Sequence, residues 1–427
     1  MKKVFFQIII LLLLVSLNVA KSTDVSISVG AQYADQVWYS IPNNAENSAP
    51  LASWDIAFYS YDQNASIRIN SGAGAKVWEI LGKTIDDFDT NIDTTGLTTN
   101  PERFVEWYNS DTSWTIGAFN RGRDGFENEG DFGWGAYNMN THAIVGDKLF
   151  IYRSIEGVYY VFTIQDLIGG TFTFKYKILN SSQVITREFS KSLATSKLFG
   201  YYLFSSDEIV DIEPLQSDWD LLFTKYIAMI PDNNGSLVPY SVMGVLSNKG
   251  NEVAKVENVP IDQATIPDNS SFFTNISTIG HTWKAYDAHT GWSIVPDLTY
   301  FVRAQDQELY RIIFKSFGGS ANGNIVFDNS WQEVGVNESF AAGDSFIITP
   351  NIIEGNSPFE IVLDANALSS NAIMDVYSIT GVKVLTRSLN ITDGLNAFSI
   401  SHNLAKGMYI VTININGNIE AQKLIIE

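Results

Sequence analysis

The chain has 427 residues, a net charge of −20, 17% charged and 13% aromatic residues, and no cysteine. Such acidity speaks against nucleic acid, whose binding leaves a basic footprint, and against an anionic membrane surface. Without cysteine there is no disulfide, lipidated cysteine, thiolate metal site or cysteine nucleophile, so stability must come from core burial.

Lys2 and Lys3 precede an apolar run of twelve residues, 4–15, broken only by Gln7. That is too short to span ~30 Å of hydrocarbon. Residues 1–20 read as a secretory signal ending at Ala20. Residues 25–29 alternate apolar with small polar side chains, the pattern of a half-buried strand. Strands are then expected at 36–40, over Trp54-Asp55-Ile56-Ala57-Phe58, at 66–70 and at 76–80. Pro101 at a first helical position predicts a short helix over 101–108. Residues 120–135 are rich in glycine and charge and read as a loop. Runs at 148–153, 158–164 and 171–177 predict a three-stranded meander.

The same order recurs downstream. Trp219-Asp220-Leu221-Leu222-Phe223 answers Trp54 to Phe58, and Trp283-Lys284-Ala285-Tyr286 answers Trp134-Gly135-Ala136-Tyr137. Residues 310–314 and 325–327 answer 160–164 and 172–174. Residues 21–182 and 183–335 therefore read as two copies of one β-rich unit. A linker, 336–350, leads to 351–427, where six or seven short alternating strands predict a small Ig-like β-sandwich. The fold class expected for the whole chain is all-β.

Residue types limit the chemistry. There are four histidines. His142 and His289 fall in matching loops after Trp134 and Trp283, His142 aligning with Gly291 and His289 with Asn140. Asp87, Asp89, Asn91 and Asp93 alternate like oxygen ligands, but Ile92 and Thr98 break the calcium-loop pattern, so a solvated loop is expected. Asp124, Glu127, Glu129 and Asp131 read the same way. Asp55 and Asp220 sit inside apolar strands, where a structural hydrogen bond is expected rather than acid–base work. No G-x-S-x-G, H-E-x-x-H or P-loop motif occurs, and the chain is expected to be a binding protein and not an enzyme.

The order Trp-Asp-apolar-apolar-Phe, Trp-x-Ala-Tyr, then a hairpin with an aromatic strand resembles the HmuY-like family of exported Bacteroidota proteins. The resemblance implies an all-β fold and haem capture at the cell surface between two axial His or Met side chains. The candidates here are His142, His289 and Met139. A surface adhesion or glycan-binding module without haem is the alternative. At the C-terminus, Tyr377-x-x-x-Gly381, Leu404-x-x-Gly407-x-Tyr409 and Lys423-Leu424-Ile425-Ile426 resemble the type A sorting domain of the type IX secretion system. That implies delivery by the type IX machinery to the cell surface or medium, with removal of the domain.

Overall fold

The computed structural model describes residues 22–61, 63–121, 130–332, 345–365, 370–392, 394–415 and 418–427. The expected signal, residues 122–129 of the glycine-rich loop, the linker up to 344 and the Asn416-Gly417 turn lie outside the described residues. Two compact units divide after Gln332. Both are all-β, and the α-helix among the described residues is a single turn, Gly319–Asn322.

In the first unit the strands pair across the sequence halves. Ser22–Ser28 pairs with Asn324–Gln332, and Asp35–Ser40 pairs with the start of Leu221–Pro231. In the other direction, Ile185–Ser190 pairs with Thr171–Ile178, and Phe199–Leu203 pairs with Ile56–Tyr59. Two large cores result. Val25, Ile27, Val37 and Tyr39 are buried with Phe223, Tyr300 and Phe327. Phe189, Tyr202 and Phe204 are buried with Phe58, Tyr152 and Phe174. A boundary at 182/183 therefore does not separate two packed bodies. The opening strands of each sequence half complete the core of the other half. Period-two strands bury one face against any complementary sheet, and alternation alone carries no information about which sheet that is.

The two Trp-Asp segments sit where the exchange occurs, and their surroundings match. Asp55 accepts backbone N–H bonds from Ile155 at 2.8 Å and Phe204 at 2.9 Å, and Tyr152 Oη donates to it at 3.3 Å. Asp220 accepts from the backbone of Ile41 at 2.8 Å and Gln305 at 3.1 Å. Each carboxylate thus binds one donor on the crossing segment (Phe204, Ile41) and one in a hairpin turn (Ile155, Gln305). Two buried amides brace the same corners. Asn70 Nδ2 donates to Leu51 and Trp54 carbonyls, and Asn248 Nδ2 donates to those of Gln216 and Trp219.

The expected meander is present as Phe150–Arg153, Tyr159–Ile168 and Thr171–Ile178. The helix expected over 101–108 is not. Phe104–Trp107 is a strand on Lys76–Ile80, with Phe104 buried beside Trp78. Pairing to an available sheet edge outweighs the local signal of Pro101. The carboxylates of the 87–93 segment do not converge. Asp87 pairs with Lys83, Asp89 with Lys175 and Asp93 with Arg103.

In the second unit, Ser345–Thr349, Phe359–Ala365 and Gly394–Ile400 form one sheet. Ile352–Ile353, Asn418–Ile426, Gly407–Ile415, Ser370–Ser378 and Lys383–Ile391 form the other. They enclose one core that includes Phe359, Ile361, Met374, Val411 and Leu424. The strand at 345–349, read from sequence as linker, belongs to this sandwich.

Candidate functional site

The hairpin after Trp134 builds a concave site in the first unit. Trp134 is fully buried, and its Nε1 donates to the Ala65 carbonyl at 3.0 Å. That anchor holds the strands Gly135–Asn138 and Ala143–Gly146, the second of which pairs with Tyr159–Ile168. The Asn138 side chain accepts backbone N–H bonds from Asn140 and Thr141, and the His142 N–H donates to the Asn138 carbonyl. This tight loop leaves His142 at φ 56. In the matching hairpin Asp287 plays the part of Asn138, accepting from His289 and Thr290, and the left-handed position is taken by Gly291 at φ 78. A histidine therefore stands where its counterpart is glycine, at a backbone cost of about 1–2 kcal/mol.

His142 lines a cavity of about 630 Å³. Tyr137, across the hairpin, places its hydroxyl 2.8 Å from His142 Nδ1. Phe132, Ile144 and Leu167 supply apolar wall. The Gly169-Gly170 turn forms part of the rim, both residues at positive φ as a two-residue hairpin turn of this hand requires. Lys191 closes the site, its Nζ 2.5 Å from the Asn64 carbonyl. Lys191 arrives only because the 185–204 segment crosses onto the first half's sheet.

The sequence candidates are not brought together. Met139 is 81% exposed at the hairpin tip and does not line the cavity. His289 lies in the turn of the other hairpin, Lys284–Asp287 with Gly291–Ile294. Around that second hairpin, Lys284 is 7% exposed, with Nζ 4.2 Å from the Trp283 ring and 4.9 Å from that of Phe317. Burial pushes its amine down to about 7, while the aromatic faces and the Met243 carbonyl at 2.6 Å favour the charged form. No cluster of three or more His, Cys, Asp or Glu able to hold a metal ion occurs among the described residues. Sequence reasoning missed Tyr137 and Lys191. The spacing of Tyr137 and His142 across a short hairpin was a readable signal for the first, and nothing local marked the second.

The sorting-motif residues hold the second unit's five-stranded sheet. Tyr409 is buried and donates to the Ala405 carbonyl at 2.9 Å. Gly381 and Gly407 take φ 79 and 154 at strand ends. Tyr377 and Lys423 stand opposite Ile410 from the strands on either side of it.

Residues 356–427 match the secretion system C-terminal sorting domain. Comparison with curated proteins gives no match. Among solved structures, apo PinO from Porphyromonas gingivitis is 6% identical, covering 74% of this chain and 99% of its own at a TM-score of 0.23. A polysaccharide lyase is 9% identical over 60% of this chain and 39% of its own, at 0.17. Dimeric latent PorU from Porphyromonas gingivalis is 9% identical over 95% and 34%, also at 0.17. Likeness at these scores carries no argument about fold or function. The sorting domain is of the type IX secretion system, implies engagement with that machinery, and marks the chain for export to the cell surface or the medium.

Proposed function

We propose that this chain, exported through its sorting domain after cleavage of a signal at 1–20, is a non-enzymatic binding protein. Its ligand is flat and mostly apolar, with haem as first choice, and is captured in the cavity beside the 135–146 hairpin. The observation that carries this reading is the Tyr137–His142 pair on the cavity wall, with His142 in a left-handed conformation. Strain of this kind persists where surrounding structure maintains it, and it clusters at binding sites.

The chemistry is consistent. A phenolate oxygen is an accepted axial ligand of haem iron. Tyr137 would supply that oxygen, and Nδ1 of His142 stands at hydrogen-bond distance from its hydroxyl. Phe132, Ile144 and Leu167 suit the porphyrin face, and the Lys191 ammonium suits a propionate. In this reading His142 acts through Tyr137, and Met139 and His289 have no assigned contact. Asp55 and Asp220 are buried with their carboxylates engaged by backbone donors, which supports a structural role for these two residues.

Titrating the mature full-length chain with micromolar haemin tests the ligand. A Soret band displaced from that of free haemin, saturating at one equivalent, is expected, and an unchanged spectrum contradicts the reading. Export is tested by deleting residues 345–427. The truncated chain is expected to stay in the periplasm, and its appearance outside the cell would contradict the sorting assignment.

A further inference from the structure

A second concave site, unrelated to the first, lies where the two sequence halves meet. One wall is the turn Ser71–Ala73 with the strand Lys76–Ile80, and the other is the pair Leu221–Pro231 and Leu237–Ser247. A groove of about 510 Å³ runs between them and continues into a narrower pocket of about 130 Å³. The two are contiguous through Ser71, Gly74, Lys76 and Ile227, which line both.

We propose that this groove binds an extended oligosaccharide bearing carboxylate groups, with sugar rings against the aromatic ends and a carboxylate at Lys225. Three independent observations support it. First, the groove is pre-formed. A Cβ added to Gly72 would lie 2.1 Å from the Lys225 carbonyl oxygen, so the walls meet at backbone contact and cannot close further. Second, one end is held by strained backbone. Gln32 and Tyr33 are consecutive non-glycine residues at φ 58 and 59. Tyr33 is kept there by stacking on Phe317 with ring centroids 6.1 Å apart, and Gln32 by its amide donating to the Ser320 carbonyl. Third, the charge is unspent. Lys76 is paired with Glu106 at 2.9 Å, whereas Lys225 has no ion-pair partner among the described residues of a chain with net charge −20.

The chemistry follows from the lining. Aromatic side chains line both ends, Tyr33 in the groove and Trp107 and Tyr108 in the pocket, and aromatic rings suit the C–H faces of pyranose rings. The hydroxyls of Ser71 and Ser241 line the middle and suit sugar hydroxyls. An unpaired ammonium in a partly buried groove attracts a carboxylate more strongly than one in bulk water. The net negative charge of the protein adds long-range repulsion, so the attraction must be local and salt-sensitive.

Calorimetric titration of the mature full-length chain with a galacturonate hexasaccharide, at low and high salt, tests this inference. Saturable binding is expected, weakening as salt rises. Lys225→Met is expected to weaken it at least tenfold. Tyr33→Gly, which removes the ring at the groove end, is expected to weaken it, with its melting temperature recorded alongside because the ring also packs on Phe317. Both variants are expected to take up haemin as the parent does, which separates this groove from the Tyr137 cavity. Absence of heat at millimolar hexasaccharide, unchanged affinity in Lys225→Met, or equal affinity for a glutamate hexapeptide would overturn the proposal.

Discussion

Replacing Asp55 by alanine lowers unfolding stability by about 4 kcal/mol, and Asp220→Ala does nearly the same. Both carboxylates are buried, with 1% and 2% of their surface exposed. Truncating Asp55 strands the N–H groups of Ile155 and Phe204 and loosens the Tyr152 hydroxyl, which retains the Asp55 carbonyl at 3.0 Å. A buried donor left without a partner costs about 1–3 kcal/mol, and two donors together set the expected figure. The damage is not local. Phe204 belongs to the segment that crosses from the second half, and Ile41 to the one that crosses from the first, so each substitution frees the end of an exchanged strand. Urea denaturation of each variant at pH 7 measures the loss. A change below 1 kcal/mol would mean that the carboxylates do not lock the exchange.

The second large effect is a pH dependence centred on Glu213. This residue is 2% exposed and accepts from the backbone of Leu198 and Phe199 and from Tyr201 Oη at 2.6 Å. Burial raises its pKa from 4.5 to about 7, against the opposing pull of those three donors. A folded-state value above the unfolded one means that the folded chain holds the proton more tightly. The contribution is complete below about pH 4.5 and is lost as pH rises through about 7. Over that window the wild type loses about 3 kcal/mol relative to a variant that cannot ionise. Exposed carboxylates such as Asp93 and Asp287, held below their usual range by hydrogen bonds, act with the opposite sign at lower pH. The informative quantity is therefore the difference between wild type and Glu213→Gln at pH 5 and at pH 8. The expected result is that the variant gains about 3 kcal/mol on the wild type between these pH values, and an equal pH slope in both proteins would contradict it.

Much of the architecture was legible from local pattern. The alternation in Thr171–Ile178 and the motifs around Tyr377, Gly407 and Lys423 required no knowledge of distant partners. The structural role of Asp55 and Asp220 was legible too, because a carboxylate inside an apolar strand needs donors close by. The exchange of opening strands was not legible. Val25, Ile27 and Phe189 are suited to either core, and partner choice is settled by contacts such as Val25 with Phe327, hundreds of positions away. The strand Phe104–Trp107 was hidden for the same reason. Both candidate sites depend on that crossing. Lys191 reaches the Tyr137 cavity and Gln32 and Tyr33 reach the groove only because segments leave their own sequence half. No spacing rule anticipates such a meeting, whereas Tyr137 and His142, joined through one hairpin, were within reach of one.

In the proposed haem capture Tyr137, which lines the cavity beside His142, is the decisive side chain. The most direct test compares haemin titrations of the mature wild-type chain and Tyr137→Phe, followed in the Soret region. Tyr137 is half exposed and its hydroxyl bonds only His142 among the described residues, so the phenylalanine variant should fold with an unchanged denaturation midpoint. Haem capture through Tyr137 predicts a displaced Soret band in the wild type and its loss in Tyr137→Phe, with affinity at least tenfold weaker. The same band and affinity in both proteins would contradict it.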